Sequence, residues 1–158
     1  MCISNSEYEQ ELKAFVAEWN SIYSTERWKL GNRDRYFYAE LKYLSNEEKL
    51  WIHAFIINNF SYDVPQLWFN VYEPGTIQKR LSLENAIRSE EFLGRCSEEE
   101  HPFLGVGFYY VDPCRVIAAT KEIPTVSDKI GYKLLKWFFV AVQPTRLRSP
   151  LEMAKQFS

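Results

Sequence analysis

Cys114 is the side chain in this sequence best placed for covalent chemistry. It ends the run His101-Pro102-Phe103-Leu104-Gly105-Val106-Gly107-Phe108-Tyr109-Tyr110-Val111-Asp112-Pro113-Cys114, whose bulky apolar residues alternate as in a half-buried strand. Proline cannot continue a central ladder, so the pattern predicts that the strand stops at Pro113 and that the thiol emerges where the sheet ends. A sulfur there can meet another macromolecule. Its chemistry would be thiolate attack on an acyl carbonyl, leaving a new thioester on this chain. The charge of Arg115 favours a thiolate and that of Asp112 opposes it, and sequence leaves open which lies nearer.

The remaining reactive residues carry weaker signals. Cys96 lies in the polar stretch Arg95-Cys96-Ser97-Glu98 and is expected to be a bystander thiol, and Cys2 is terminal. With His53 and His101 the only histidines and no Cys-x-x-Cys pair, neither a disulfide framework nor a metal site is expected. The glycines complete no phosphate-binding loop, so no nucleotide cofactor is expected either. His101 before Pro102 is most simply a loop residue whose ring bonds a backbone group. Asn58, Asn59, His53, Tyr109 and Tyr110 are candidates to shape a site around Cys114, and Trp68 and Trp137 are expected in the core.

The elements that must position these residues follow from periodicity. Tyr8, Leu12, Phe15, Val16, Trp19, Ile22 and Tyr23 recur at helical spacing, predicting a helix over Ser6 to Tyr23 with Glu7, Glu9, Glu11, Lys13 and Glu18 outside its stripe. Alternation predicts a strand over Tyr36 to Tyr43. A turn at Ser45-Asn46-Glu47-Glu48 precedes the aromatic, β-branched strand Trp51 to Asn58, and a third strand follows Pro65. Ser82 is expected to cap a helix from Leu83 to about Phe92, and 94–100 to be a polar loop. Arg115 to Thr125 shows no clear period. Ser127 or Asp128 is expected to cap a helix carrying Ile130, Leu134, Trp137, Phe138 and Ala141, and a short helix closes the chain from Pro150 to Phe157.

Turns too short for crossovers force antiparallel pairing, so the fold class is α+β, an antiparallel sheet of about four or more strands flanked by helices. At 158 residues with 46% hydrophobic content the chain suffices for a single domain spanning 1–158. A net charge of −2 without a basic stripe argues against nucleic-acid partners. No apolar run is long enough to span a membrane and the start has no signal core, so a cytoplasmic protein is expected.

A helix, a meander of antiparallel strands, a cysteine on an extended segment and trailing helices form the layout of ubiquitin-conjugating (E2) enzymes. At His101-Pro102-Phe103-Leu104-Gly105, Phe108-Tyr109-Tyr110-Val111 and Asp112-Pro113-Cys114-Arg115, the sequence resembles the autophagy-related protein 10 family of E2-like enzymes. Further similarity lies in Ser61-Tyr62-Asp63-Val64-Pro65, Leu67-Trp68-Phe69, Trp137, Pro150-Leu151 and Ala154-Lys155. The resemblance implies an E2-like fold in which Cys114 accepts the ubiquitin-like autophagy-related protein 12 from the E1-like autophagy-related protein 7. It further implies transfer of that modifier to a lysine of autophagy-related protein 5, in the service of autophagosome formation.

Two departures from the family pattern stand out. Asp112 occupies the place where the family usually has histidine, and the stretch after His101-Pro102 lacks the asparagine that ordinary E2 enzymes aim at the developing oxyanion. Asn58 or Asn59 reaching from a neighbouring strand, or backbone N–H groups, are the candidates for that task. The alternative function is a catalytically silent E2-like interaction module. A cysteine hydrolase using His53 or His101 ranks last, because a proline directly before the thiol is unlike the helix N-terminus that commonly acidifies such nucleophiles. The lipid-conjugating relative, autophagy-related protein 3, has a long insertion and a membrane-sensitive amphipathic start that are not matched here.

Overall fold

In the computed structural model, which describes residues 3–75 and 78–157, the predicted first helix forms as α1 (Asn5–Ile22). The Ser4 hydroxyl caps it by accepting from the Glu7 N–H at 3.2 Å. Its stripe of Tyr8, Leu12, Phe15, Val16 and Trp19 is buried. Phe15 and Trp19 meet Phe138 and Trp28 in a ring cluster, with Phe15 and Phe138 centroids 5.2 Å apart.

Among the described residues six strands follow, β1 (Lys29–Arg33), β2 (Tyr36–Leu44), β3 (Trp51–Asn59), β4 (Val64–Tyr72), β5 (Cys96–Glu100) and β6 (Gly107–Val111). They form one antiparallel sheet in the order β1-β2-β3-β4-β6-β5. Ala39, Leu41, Ile52, Ala54, Ile56, Leu67, Phe69 and Val71 point from one face into the main core, which α1 and α4 (Tyr132–Ala141) help to cover. Phe55, Ile57, Trp68 and Phe108 make a second cluster on the other face. Among the described residues Phe103, Tyr36, Tyr38 and Tyr110 pack against this cluster. Most of β3 and β4 is therefore buried on both faces, which explains why β3 reads as a continuous apolar run. Shorter helices α2 (Leu83–Ala86), α3 (Pro113–Lys121) and α5 (Leu151–Ala154) complete the fold, with 3-10 segments at Glu90–Arg95 and Lys155–Phe157.

The structure corrects several sequence-based expectations. β1 was without a signal, because its residues are largely exposed and only pairing with β2 makes it a strand. A Cβ at Gly31 would run into the Tyr38 ring across the pair, so a larger residue there requires that ring to shift. The expected loop at 94–100 contains the edge strand β5, whose charged Glu98-Glu99-Glu100 is tolerated because an edge faces solvent. The helix expected from Leu83 to Phe92 is a single turn, α2, followed by the 3-10 segment. The aperiodic stretch after Cys114 is helical up to Lys121, as α3, in which only Val116 and Thr120 are buried, too few to print a helical period. The last helix, expected over Pro150 to Phe157, is α5 with a 3-10 end.

The start of α4 differs most. Neither Ser127 nor Asp128 caps it; the N-cap is Gly131, at φ 101° and with no side chain to offer. Glu11 of α1 does that work. Expected on the solvent face, it is only 6% exposed, and its carboxylate accepts from Gly131 N–H at 2.9 Å and Leu134 N–H at 3.2 Å. Burial of this charge is compensated by two charge-assisted bonds at a helix N-terminus.

Candidate active site

The strand leading to Cys114 is shorter than expected. His101 to Val106 forms a turn, closed by His101 N–H to the Val106 carbonyl at 2.8 Å, and β6 itself runs from Gly107 to Val111. The chain then enters α3 without a break. Asp112 is the N-cap, Pro113 occupies the first helical position and Cys114 the second. The Asp112 carboxylate accepts from Cys114 N–H at 3.0 Å, and Cys114 is exposed. Cys114 thus lies in the first turn of a helix, not at a bare strand end. Pro113 starts the helix because its fixed φ suits the first position and its missing N–H has no partner to lose there. Asp-Pro before the cysteine is a helix-start signature that the strand reading of this run passed over. The objection that a proline removes the thiol from a helix N-terminus therefore falls.

Asp112 and Arg115 sit one turn apart with Oδ2 and Nε 3.9 Å apart, both substantially exposed. The amide of Asp112 donates to the Arg95 carbonyl at 2.8 Å, which ties the start of α3 to the segment entering β5. Val116 and Thr120 anchor the inner side of α3, and the Thr120 hydroxyl bonds back to the Val116 carbonyl at 2.6 Å.

Two depressions meet at Cys114. A polar cleft of about 640 Å³ is lined by Cys114, Asp112, Pro102, Tyr110, Glu99, Glu100 and the end of β3 at Asn58 and Asn59. An apolar furrow of about 540 Å³ lies along Val64, Ile117, Ala118 and Lys121; Tyr62, Pro113 and Cys114 line both. The thiol therefore has two approaches of opposite character.

The structure sorts the other candidates. Asn59 is engaged, with Nδ2 donating to Gln66 Oε1 at 3.2 Å and Oδ1 accepting from Ser61 N–H at 2.9 Å. Asn58 is 2% exposed, and neither its amide nitrogen nor its oxygen has a partner among the described residues. Tyr110 lines the cleft and donates to Glu99 Oε1 at 3.3 Å. Tyr109 does not; its hydroxyl donates to the Leu81 carbonyl at 2.8 Å and Arg80 lies 4.0 Å from its ring. Successive strand residues point to opposite faces, so only one of this tyrosine pair can reach the site.

His53 is away from the cleft, its Nε2 2.6 Å from Glu40 Oε2 and its ring against Phe55 and Phe108. Burial lowers its pKa despite the raising effect of Glu40. His101 is 2% exposed and does bond backbone groups as expected, its Nδ1 accepting from Phe103 N–H at 3.3 Å and Leu104 N–H at 3.2 Å. Burial pushes its pKa down to about 4, so the ring is neutral near neutral pH. It packs among Phe55, Phe103 and Phe108, with ring centroids 4.4, 4.5 and 4.9 Å away. Its work is to hold the turn that sets Pro102 at the cleft rim. Cys96 is on β5, not in a loop, only 7% exposed, and burial pushes its thiol up to about 12. Cys2 lies outside the described residues.

A family model described as "Autophagocytosis associated protein, active-site domain" matches residues 42–151, more than half of the chain. The chain belongs to this family. The matched span includes β3, β4, β5, β6, α3 and α4, hence Cys114 and the described walls of both depressions from Asn58 to Lys121. No curated protein sequence matches the chain. Membership supports an autophagy E2-like conjugating role, with an E1 and a ubiquitin-like protein as partners in general, and the α+β sheet with its helices is consistent with an E2-like fold. Among the described residues no helix is long and apolar enough to cross a membrane.

Proposed function

We propose that the whole chain, residues 1–158, acts as one conjugating domain that carries a ubiquitin-like modifier as a thioester on Cys114 and passes it to a lysine. The resemblance at the His-Pro to Pro-Cys block assigns the partners. The donor is the E1-like autophagy-related protein 7, the modifier autophagy-related protein 12 and the acceptor autophagy-related protein 5, all met in the cytoplasm. The observation that carries this function is the exposed Cys114 in the first turn of α3, open to two depressions within the span matched by the family.

In the first step the Cys114 thiolate attacks the E1 thioester carbonyl, the new carbon–sulfur bond forms and the E1 thiolate leaves. In the second, a lysine amine attacks that carbonyl and Cys114 departs as thiolate. A free lysine is neutral in only about one molecule in a few thousand at pH 7, so placing the amine matters more than a general base. Asn58 has an uncommitted but fully buried amide and Asn59 is held by Gln66 and Ser61, so backbone N–H groups at the start of α3 join them as candidates for stabilising the oxyanion. Asp112 in place of histidine weighs little towards a silent module, since it keeps the cap that sets Cys114 in place. A protein acceptor is favoured over a lipid because α1 spends its apolar stripe on the core and shows Glu7, Glu9 and Glu18 outside it.

Incubation with the E1-like enzyme, ATP and the modifier, followed by a non-reducing gel, tests this function. A band that a thiol reagent removes, and that Cys114→Ala never forms, is the expected result. Persistent lack of the band with active partners would leave the silent module.

A further inference from the structure

Cys114 can be approached through two depressions, and only one of them suits a nucleophile that becomes cationic as it reacts. We infer that the acceptor amine reaches the Cys114 thioester through the polar cleft, between Asn59 on one wall and Glu99 and Glu100 on the other, and that the apolar furrow does not admit it. The inference rests on the thioester function proposed above.

The chemistry decides between the two sides. When a neutral amine adds to a thioester carbonyl, the forming carbon–nitrogen bond leaves positive charge on nitrogen and negative charge on the carbonyl oxygen. The carbon–sulfur bond then breaks, Cys114 leaves as thiolate, and the nitrogen loses its proton to a carboxylate or water to give the amide. A group that favours the transition state must therefore place negative charge beside the attacking nitrogen. Glu99, Glu100 and Asp112 all line the polar cleft. Arg35 faces it too, but its guanidinium stacks over Phe60 at 4.8 Å and Tyr36 at 5.4 Å. The furrow offers no carboxylate among its lining residues and carries Lys121, whose ammonium opposes a second positive charge.

Asn58 belongs to the wall of the cleft by position, while its amide is buried with both ends unpaired among the described residues. Alternation along β3 turns these buried atoms towards the Ile56 side of the sheet, so the polar groups that face into the cleft are those of Asn59, Tyr110 and Glu99.

The test separates charge from general damage by giving two nucleophiles of opposite sign to the preformed thioester. Wild-type protein and the double variant Glu99→Lys/Glu100→Lys are charged with the modifier, the E1 step is stopped, and the discharge rate per charged molecule is followed with free lysine and with dithiothreitol. Dithiothreitol attacks as an anion, so the same reversal acts on it with the opposite sign. The variant should lose lysine discharge by about fivefold or more, while dithiothreitol discharge holds or rises, and added salt should narrow the difference. Lys121→Glu should leave lysine discharge within about twofold of wild type. Equal slowing with both nucleophiles, lysine discharge within twofold in the double variant, or acceleration by Lys121→Glu as large as the loss expected on the other side would each overturn the inference. Failure of wild-type protein to form any thioester would overturn the underlying function instead, and is visible before discharge is measured.

Discussion

The N-termini of α3 and α4 solve the same problem in opposite ways. At α3 the cap is the residue directly before the helix, Asp112, bonded to an amide two positions away and substantially exposed. At α4 the cap position is a glycine, and the acceptor is Glu11, 120 residues distant in sequence and buried. The local solution leaves the helix start open, so Cys114 can meet a partner. The distant one seals α4 against α1 and fixes the core. The same contrast extends around the cleft, where His101 bonds the amides of Phe103 and Leu104, and Asn59 that of Ser61. The candidate site is framed by short-range bonds on a sheet whose own cohesion is long-range.

The largest effect should come from the buried cap. Glu11→Ala strands two amides at the start of α4 and should cost about 4 kcal/mol in urea unfolding, with Glu11→Gln losing less because an acceptor oxygen remains. If Asp112→Ala costs as much, the contrast between the two helix starts is wrong.

Next is the buried imidazole at the cleft rim. His101 is neutral in the folded protein down to about pH 4 but titrates near 6.5 when unfolded. Between those values the unfolded chain binds a proton that the folded one does not. Its contribution is thus fully present above about pH 6.5 and lost as pH falls towards 4, by up to about 3 kcal/mol. The difference in pH slope between wild type and His101→Asn, from denaturant midpoints across that window, checks it. An identical slope would show that the ring is not shut away from protons.

The two thiols sharpen the contrast between open and sealed regions. In the folded protein Cys114 should react with iodoacetamide roughly a hundredfold faster than Cys96, whose thiol is buried and hard to ionise. Peptide mapping after timed alkylation reads the ratio, and comparable labelling would mean that β5 opens readily. The smallest effect belongs to the local cap. Asp112→Ala should lower stability by about 1 kcal/mol, and Asp112→Asn by less because asparagine caps as well.

Much of the scaffold was legible in the residues. α1, β2, β3 and β4 carry helical or strand patterns strong enough to place them to within a residue or two. β1 and β5 were not legible, since a solvent-facing edge strand needs no apolar alternation and exists only through its partner. α3 escaped because two buried residues make no stripe, although Asp112-Pro113 announces its start. The orphaned state of Asn58, the withdrawal of Tyr109 from the site and the inward turn of Glu11 had no sequence signal, as each depends on what another segment brings alongside.

Taken alone, the order of residues settles which segments bury their apolar sides, because periods and turns act over a few positions. Only the assembled sheet decides what surrounds the sulfur. Asn58, Glu99 and Pro102 come from three separate segments, and strand pairing and burial, which no local propensity encodes, bring them to one cleft.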